Sequence, residues 1–225
     1  MNDLVFDSSA LISISENCLM KVLGELSQKA IGNFYISEAI ARETVNVPLS
    51  IDKFELNAIR IKQALENGWI KVFRHEKIGE FAQRIEGIAN NCFFHDGRPL
   101  ELIHYGEAEA LALNKIINAS VVVIDERTAR SMLEYPLSLK KSISLNFNAS
   151  IKMNKGKLKE LKEFCGQVRI VRSVELMAEA FDLGLLEKEL GNSIESLKAS
   201  LYALKYKGCA VSLNEIESYI KETEI

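Results

Sequence analysis

Histidine and cysteine are scarce in this sequence, and neither is grouped. The three histidines, His75, His95 and His104, lack the spacing of metal ligands, which disfavours a zinc hydrolase. The four cysteines, Cys18, Cys92, Cys165 and Cys209, lie far apart with no C-x-x-C pair. A disulfide framework or zinc site is therefore not expected, and free thiols in a reducing compartment are the plain reading. Only 3 prolines and 12 glycines in 225 residues argue against long disordered linkers. No apolar run approaches the roughly 18 residues that a membrane span needs. The N-terminal stretch contains Asp3 and Asp7 and no basic leader, unlike a signal peptide. A cytoplasmic protein without a membrane partner is expected. Neither sign of charge dominates: the formal net charge of -3 does not advertise a nucleic-acid binder, though it says little about local patches.

What remains is an ordinary globular composition, 48% hydrophobic and 26% charged, long enough to bury a sizeable core. Strand and helix patterns alternate along it, which argues for an α/β fold with a parallel sheet. Leu4-Val5-Phe6 reads as a strand, followed by a short helix over 10–15 and another over 17–30. Phe34-Tyr35-Ile36 is a second strand, and Ser37 caps a helix from Glu38 to Val45. A longer helix runs from Asp52 to Glu66, a strand from Trp69 to Phe73, and a helix over 76–90. The stretch Phe93–Pro99 reads as loop. A helix from Gly106 then leads to the β-branched run Val121–Ile124, which suits a strand covered on both faces.

After Pro136 the texture changes. The insertion at about 137–165 is rich in Ser, Asn and Lys, and residues 140–162 hold seven lysines against the single acid Glu160. That segment is either a solvated, mobile basic loop or a contact for an RNA backbone. One more strand is expected at Val168–Val171, and the rest is helical. The division expected is a core domain over 1–175 and a helical C-terminal extension over 176–225. The leucines of that extension, among them Leu183, Leu190, Leu197, Leu201 and Leu204, outnumber what a lone appendage can hide. They either pack back on the chain's own core or form a dimer surface, and a homodimer is one expectation.

The acids carry the chemistry. Asp7 and Asp125 each follow a strand, where open α/β sheets place their ligands. Adjacent strands would bring the two carboxylates together, and a cation between them would keep both ionised. Glu43 lies on the helix after the second strand. Glu107 and Glu109 are about 200° apart around their helix, so only one is expected to reach the site. Face composition makes Glu109 the odd buried acid, because it shares a side with Ala112, Leu113 and Ile116, whereas Glu107 shares one with Asn114 and Asn118. Each acid alone has an ordinary alternative as a helix cap or a solvated side chain; their coincidence is what raises them.

The stretches LVFDSSALI at 4–12, ARETV around Glu43, GEAEALAL at 106–113 and VVVIDERTAR at 121–130 resemble the PIN-domain ribonucleases, the family that includes the VapC toxins of toxin–antitoxin pairs. The resemblance covers about residues 1–135. It implies a PIN-like parallel sheet flanked by helices and a metal-dependent phosphodiesterase acting on RNA. Asp7, Glu43, Glu107 and Asp125 would hold Mg2+ or Mn2+, Ser9 would hydrogen-bond a carboxylate or metal-bound water, and no histidine or lysine base is required. The family spacing to Asp125 selects Glu107 over Glu109, against the face argument. It also implies an antitoxin protein as partner if the chain is a toxin; an RNA-processing enzyme or a non-catalytic binding module on the same fold are the alternatives. The absence of a second aspartate two residues after Asp7 argues against an aspartyl-phosphate phosphatase.

Overall fold

The β-branched run at Val121 seeds the centre of a parallel sheet. The computed structural model describes residues 3–30 and 32–223. In chain order the elements begin with β1 (Leu4–Phe6), α1 (Ser8–Glu16), α2 (Met20–Lys29), β2 (Phe34–Ser37) and α3 (Glu38–Ala41). A π turn over Arg42–Asn46 and a 3-10 turn over Pro48–Ser50 lead to α4 (Asp52–Glu66), β3 (Lys71–Phe73) and α5 (Lys77–Ala89). Then come β4 (Phe93–His95), β5 (Arg98–Pro99), α6 (Tyr105–Ile117), β6 (Val121–Val123) and α7 (Arg127–Glu134). The remainder is α8 (Pro136–Phe147), β7 (Ile151–Met153), α9 (Lys155–Cys165), β8 (Arg169–Val171), α10 (Ser173–Asp182), α11 (Glu187–Leu190), α12 (Ile194–Tyr206) and α13 (Leu213–Thr223).

The main sheet has the order β3-β2-β1-β6-β8, and every pairing in it is parallel. The chain builds outward from β1 through β2 and β3, then crosses to the other side of β1 for β6 and β8. The reversal falls between β1 and β6, where Leu4 to Phe6 lie in register with Val121 to Val123. Such a switch point opens a crevice at the carboxyl ends of the two strands, and Asp7 and Asp125 flank it. Val122, Val123 and Ile124 are fully buried, as a strand covered on both faces requires.

Two expectations change. Phe93–Pro99 is not a loop: β4 and β5 form a hairpin around Asp96-Gly97, both with positive φ (48° and 79°). An Asp-Gly pair with two left-handed residues is the preferred two-residue hairpin turn. The lysine-rich insertion is ordered throughout, as α8, β7 and α9, and β7 completes a small antiparallel sheet of order β5-β4-β7. Within α9, Lys157 pairs with Glu160 at 2.8 Å and Lys159 with Glu163 at 3.7 Å.

The C-terminal leucines pack inward. Leu186, Leu197, Leu201 and Leu204 are fully buried and join the same hydrophobic cluster as Val5 and Ile14 of the first elements, while Leu183 and Leu190 stay exposed. A buried guanidinium fastens this extension. Arg172, at the end of β8, donates to Glu175 of α10 at 2.5 Å, to Glu215 of α13 at 2.9 Å and to the Ala210 carbonyl at 2.7 Å. Tyr219 of α13 donates to the same Glu175 at 2.9 Å, and Arg130 of α7 does so at 3.3 Å. No helix among the described residues is long and apolar enough to cross a membrane.

Gly24 marks the tightest helix contact, because a Cβ there would lie 2.5 Å from Cδ2 of Trp69, the sole tryptophan. Gly24→Ala is expected to lower stability by about 1–2 kcal/mol, since the overpacking cost exceeds the gain of up to about 1 kcal/mol in helix propensity. Urea unfolding followed by Trp69 fluorescence measures it, and a raised midpoint would contradict this packing.

Candidate active site

Asp7 leaves β1 in an extended conformation and turns its carboxylate back over the start of α1. Its Oδ2 accepts from the Ser9 amide at 3.1 Å and the Ser9 hydroxyl at 2.6 Å. The Ser9 hydroxyl oxygen also accepts from the Asp125 amide at 3.3 Å, which ties the end of β1 to the end of β6. Asp7 Oδ1 is buried and has no hydrogen-bond partner. Burial raises the Asp7 pKa, the Ser9 and Ser8 hydrogen bonds oppose this, and the charge of Asp125 adds to the rise.

Glu43 sits on the π turn, where the Val47 amide reaches back five residues to the Arg42 carbonyl at 2.9 Å. Such turns recur at functional sites because the extra residue re-aims side chains. Glu43 is exposed as a whole residue, but its carboxyl end is partly desolvated; this first, and then the charge of Asp7, push its pKa up, with Ser8 opposing. Gly106 closes the gap between the two acids: a Cβ there would stand 3.7 Å from Asp7 Oδ1 and 3.8 Å from Glu43 Oε2. Any larger side chain would fill the space beside both carboxylates.

Glu107 occupies the third position of α6. Its Oε2 accepts from the His104 amide at 2.8 Å, the reach-back of a capping box. Its Oε1 is buried without a partner. Burial pushes the carboxyl up to about 7, and the charges of Glu126 and Asp7 add to this against the His104 hydrogen bond. Glu109 is as buried as Glu107, at 7% exposure against 6%, so burial does not separate them. Their neighbours do. Glu109 lines a groove with Arg42, Arg74 and His75 on the β2–β3 side and feels the charges of Arg42 and Glu43, whereas Glu107 feels those of Glu126 and Asp7.

Asp125 stands at the strand end where the sequence places it, its charge adds to the rise of the Asp7 pKa, and both its oxygens accept hydrogen bonds. Oδ1 accepts from the Ser173 amide and Oδ2 from the Ser173 hydroxyl, each at 2.7 Å, and its carbonyl accepts from Ala210 at 2.9 Å. It anchors α10 and the C-terminal extension to the end of β6. The next residue, Glu126, is exposed at the start of α7, its charge reaches Glu107, and both its oxygens accept from Thr128, from the amide at 2.6 Å and from the hydroxyl at 3.0 Å. In the sequence Glu126 shows only as the second acid of the D-E pair at the strand end.

The charge of Asp7 acts on Glu43 and on Glu107, that of Asp125 acts on Asp7, and that of Glu126 acts on Glu107. Among the described residues no group of three His, Cys, Asp or Glu forms a ready-made cage. Magnesium does not need one: it keeps most of its waters and takes one or two carboxylates directly. The orphaned oxygens of Asp7 and Glu107 fit that role, since an acceptor buried without a donor is costly unless a cation or its waters complete it. Zinc-type ligation has no basis here, because no cysteine or histidine joins the group.

Comparison with curated proteins and with solved structures finds no significant match in either. A family model described as a PIN domain matches residues 3–135, from before β1 to the end of α7, and so spans all the acids above. With the five-stranded parallel sheet and its flanking helices, this places the chain in the PIN-domain family, whose members are generally nucleases that use divalent metals.

Proposed function

We propose that the chain is a divalent-metal-dependent endoribonuclease, with Asp7, Glu43, Glu107 and Asp125 as the acids grouped around Mg2+ or Mn2+ and Glu126 as a further carboxylate acting on Glu107. The observation that carries this is the pair of buried, partnerless oxygens, Asp7 Oδ1 and Glu107 Oε1, among acids that raise one another's pKa. A bound divalent ion supplies a lowered water pKa and neutralises charge at phosphorus. The protein's own part is positional. Ser9 fixes the Asp7 carboxylate and the His104 amide fixes Glu107. Asp125 holds the backbone from which Glu126 projects, through its bonds to Ser173. The resemblance to toxins of toxin–antitoxin pairs makes an antitoxin the partner to look for. The ordered segments beyond residue 135 favour, as a second reading, an RNA-processing enzyme with its own substrate-binding surface.

Cleavage of single-stranded RNA is expected with Mg2+ or Mn2+ and none in EDTA. Glu126→Gln should lower kcat/KM at least about tenfold, a loss of 1.4 kcal/mol in transition-state stabilisation, while Glu109→Gln should leave metal dependence unchanged. Activity that survives EDTA, or a Glu126→Gln enzyme with full activity, would refute this assignment.

A further inference from the structure

The segment that follows the family match builds a second groove on the rim of the acids. It lies between α7 and α8, has a volume of about 390 Å3, and begins at Glu126, which follows Asp125 and whose charge acts on Glu107. One wall comes from the matched region, with Arg127 exposed beside Glu126; the other is α8, wholly outside it. Ser138, Ser142 and Asn146 recur every four residues on α8 and so present one polar stripe to the groove. Phe147 closes the far end, 55% exposed, with the His95 ring tilted against it at 5.6 Å between centroids. Among the described residues the side chains of Arg127, Ser138, Ser142 and Asn146 make no hydrogen bond or ion pair. A row of unused donors and acceptors ending on an exposed aromatic ring has no structural task in the fold.

We propose that this groove is a nucleotide subsite for single-stranded RNA, seating a base against Phe147 next to the carboxylate site. The proposal rests on the nuclease reading above, which supplies the strand. Every base has a π face, so an exposed phenylalanine ring offers sequence-tolerant stacking. The stripe of hydroxyl and amide groups matches the edges of an unpaired base, which RNA presents only where it is single-stranded. Arg127 supplies a cation for the flanking phosphate, offsetting the repulsion of Glu126. A duplex keeps its bases stacked and offers none to Phe147, so the groove selects unpaired RNA.

The test uses the full chain carrying Asp7→Asn, which does not cleave on the reading above, with a short single-stranded oligoribonucleotide containing one 2-aminopurine. Binding should quench the 2-aminopurine fluorescence. Adding Phe147→Ala should weaken binding by roughly 5- to 100-fold, the worth of one base–aromatic stack, and remove the quench, while Phe147→Tyr keeps both. Because Phe147 is exposed, the alanine variant should retain the parent's melting temperature. Unchanged affinity and quench in Phe147→Ala overturn the subsite, and so does an absence of RNA binding by the parent. In either case metal-dependent cleavage by the wild type leaves the nuclease reading standing, and its absence brings that down as well.

Discussion

Replacing Asp7 by asparagine is expected to abolish RNA cleavage and, at the same time, to raise the melting temperature of the metal-free protein. The two effects have one origin. Asp7 Oδ1 is a buried acceptor without a donor, held beside Glu43 and close to the charges of Glu107 and Asp125. An asparagine keeps an oxygen for Ser9 and places an NH2 group where the orphaned oxygen stood. It removes a charge and supplies a donor toward Glu43. Relieving an unsatisfied buried polar group is worth about 1–3 kcal/mol, and each kcal/mol is about 2–4 °C in a chain of this size. Divalent metal should reverse the ranking. An ion that binds only the assembled site stabilises the wild type by about 2.7 kcal/mol at a hundred times its Kd, and the variant should show little of that gain. Thermal unfolding with and without Mg2+ or Mn2+, alongside an RNA cleavage assay, measures both. A variant that still cleaves, or that gains as much stability from metal as the wild type, would contradict the placement of Asp7 at the ion.

The second large effect is on the C-terminal extension. Arg172→Met removes a nearly buried guanidinium and leaves Glu175 with the residue-172 amide, Tyr219 and Arg130, the last its one remaining cation. Breaking a buried ion pair from one side costs about 3–5 kcal/mol. The same network sets a pH dependence. Burial raises Glu215, but the Ser212 amide and hydroxyl and the Arg172 guanidinium outweigh it and hold the carboxyl at about 2; Glu175 is likewise lowered, against its burial, by Arg172 and Tyr219. A carboxyl whose folded pKa lies below its unfolded value stabilises the fold above the unfolded pKa, about 4.3 for glutamate, and that stability is lost as pH falls toward the folded pKa. Wild-type melting temperature should therefore drop steeply between about pH 4.3 and 2. In Arg172→Met the curve should start lower and be flatter over the same interval. Parallel curves for the two proteins would show that Arg172 does not govern this titration.

Much of the architecture is legible in the chain because its signals are local. The run Val121–Ile124 has the unbroken hydrophobicity of a strand covered on both faces, and Asp7 and Asp125 follow their strands where the topology puts its crevice. What escapes the sequence depends on partners far away in the chain. β4 is short and finds β7 more than fifty residues later, so Phe93–Pro99 reads as loop even though Asp96-Gly97 is a hairpin signal. The position of Asp125 is readable, but its bonds to Ser173, 48 residues on, are not. The π turn that aims Glu43 leaves no mark in ARETV. The leucines of the extension fit a core or a partner equally well until α12 is seen with Leu197, Leu201 and Leu204 fully buried.

The pairing of β6 with β8 bears on where this chain can be cut. The family match ends at residue 135, yet the strand that completes the sheet begins at Arg169. A fragment stopped at the end of the match would leave Val121–Val123 as an unpaired edge, apolar on both faces and with a free row of amides and carbonyls. Such an edge is a template for joining another chain, and Asp125 would lose its partner Ser173. The boundary that defines the family by sequence is not a boundary at which the molecule can be divided, and expression of the matched region alone should yield aggregates.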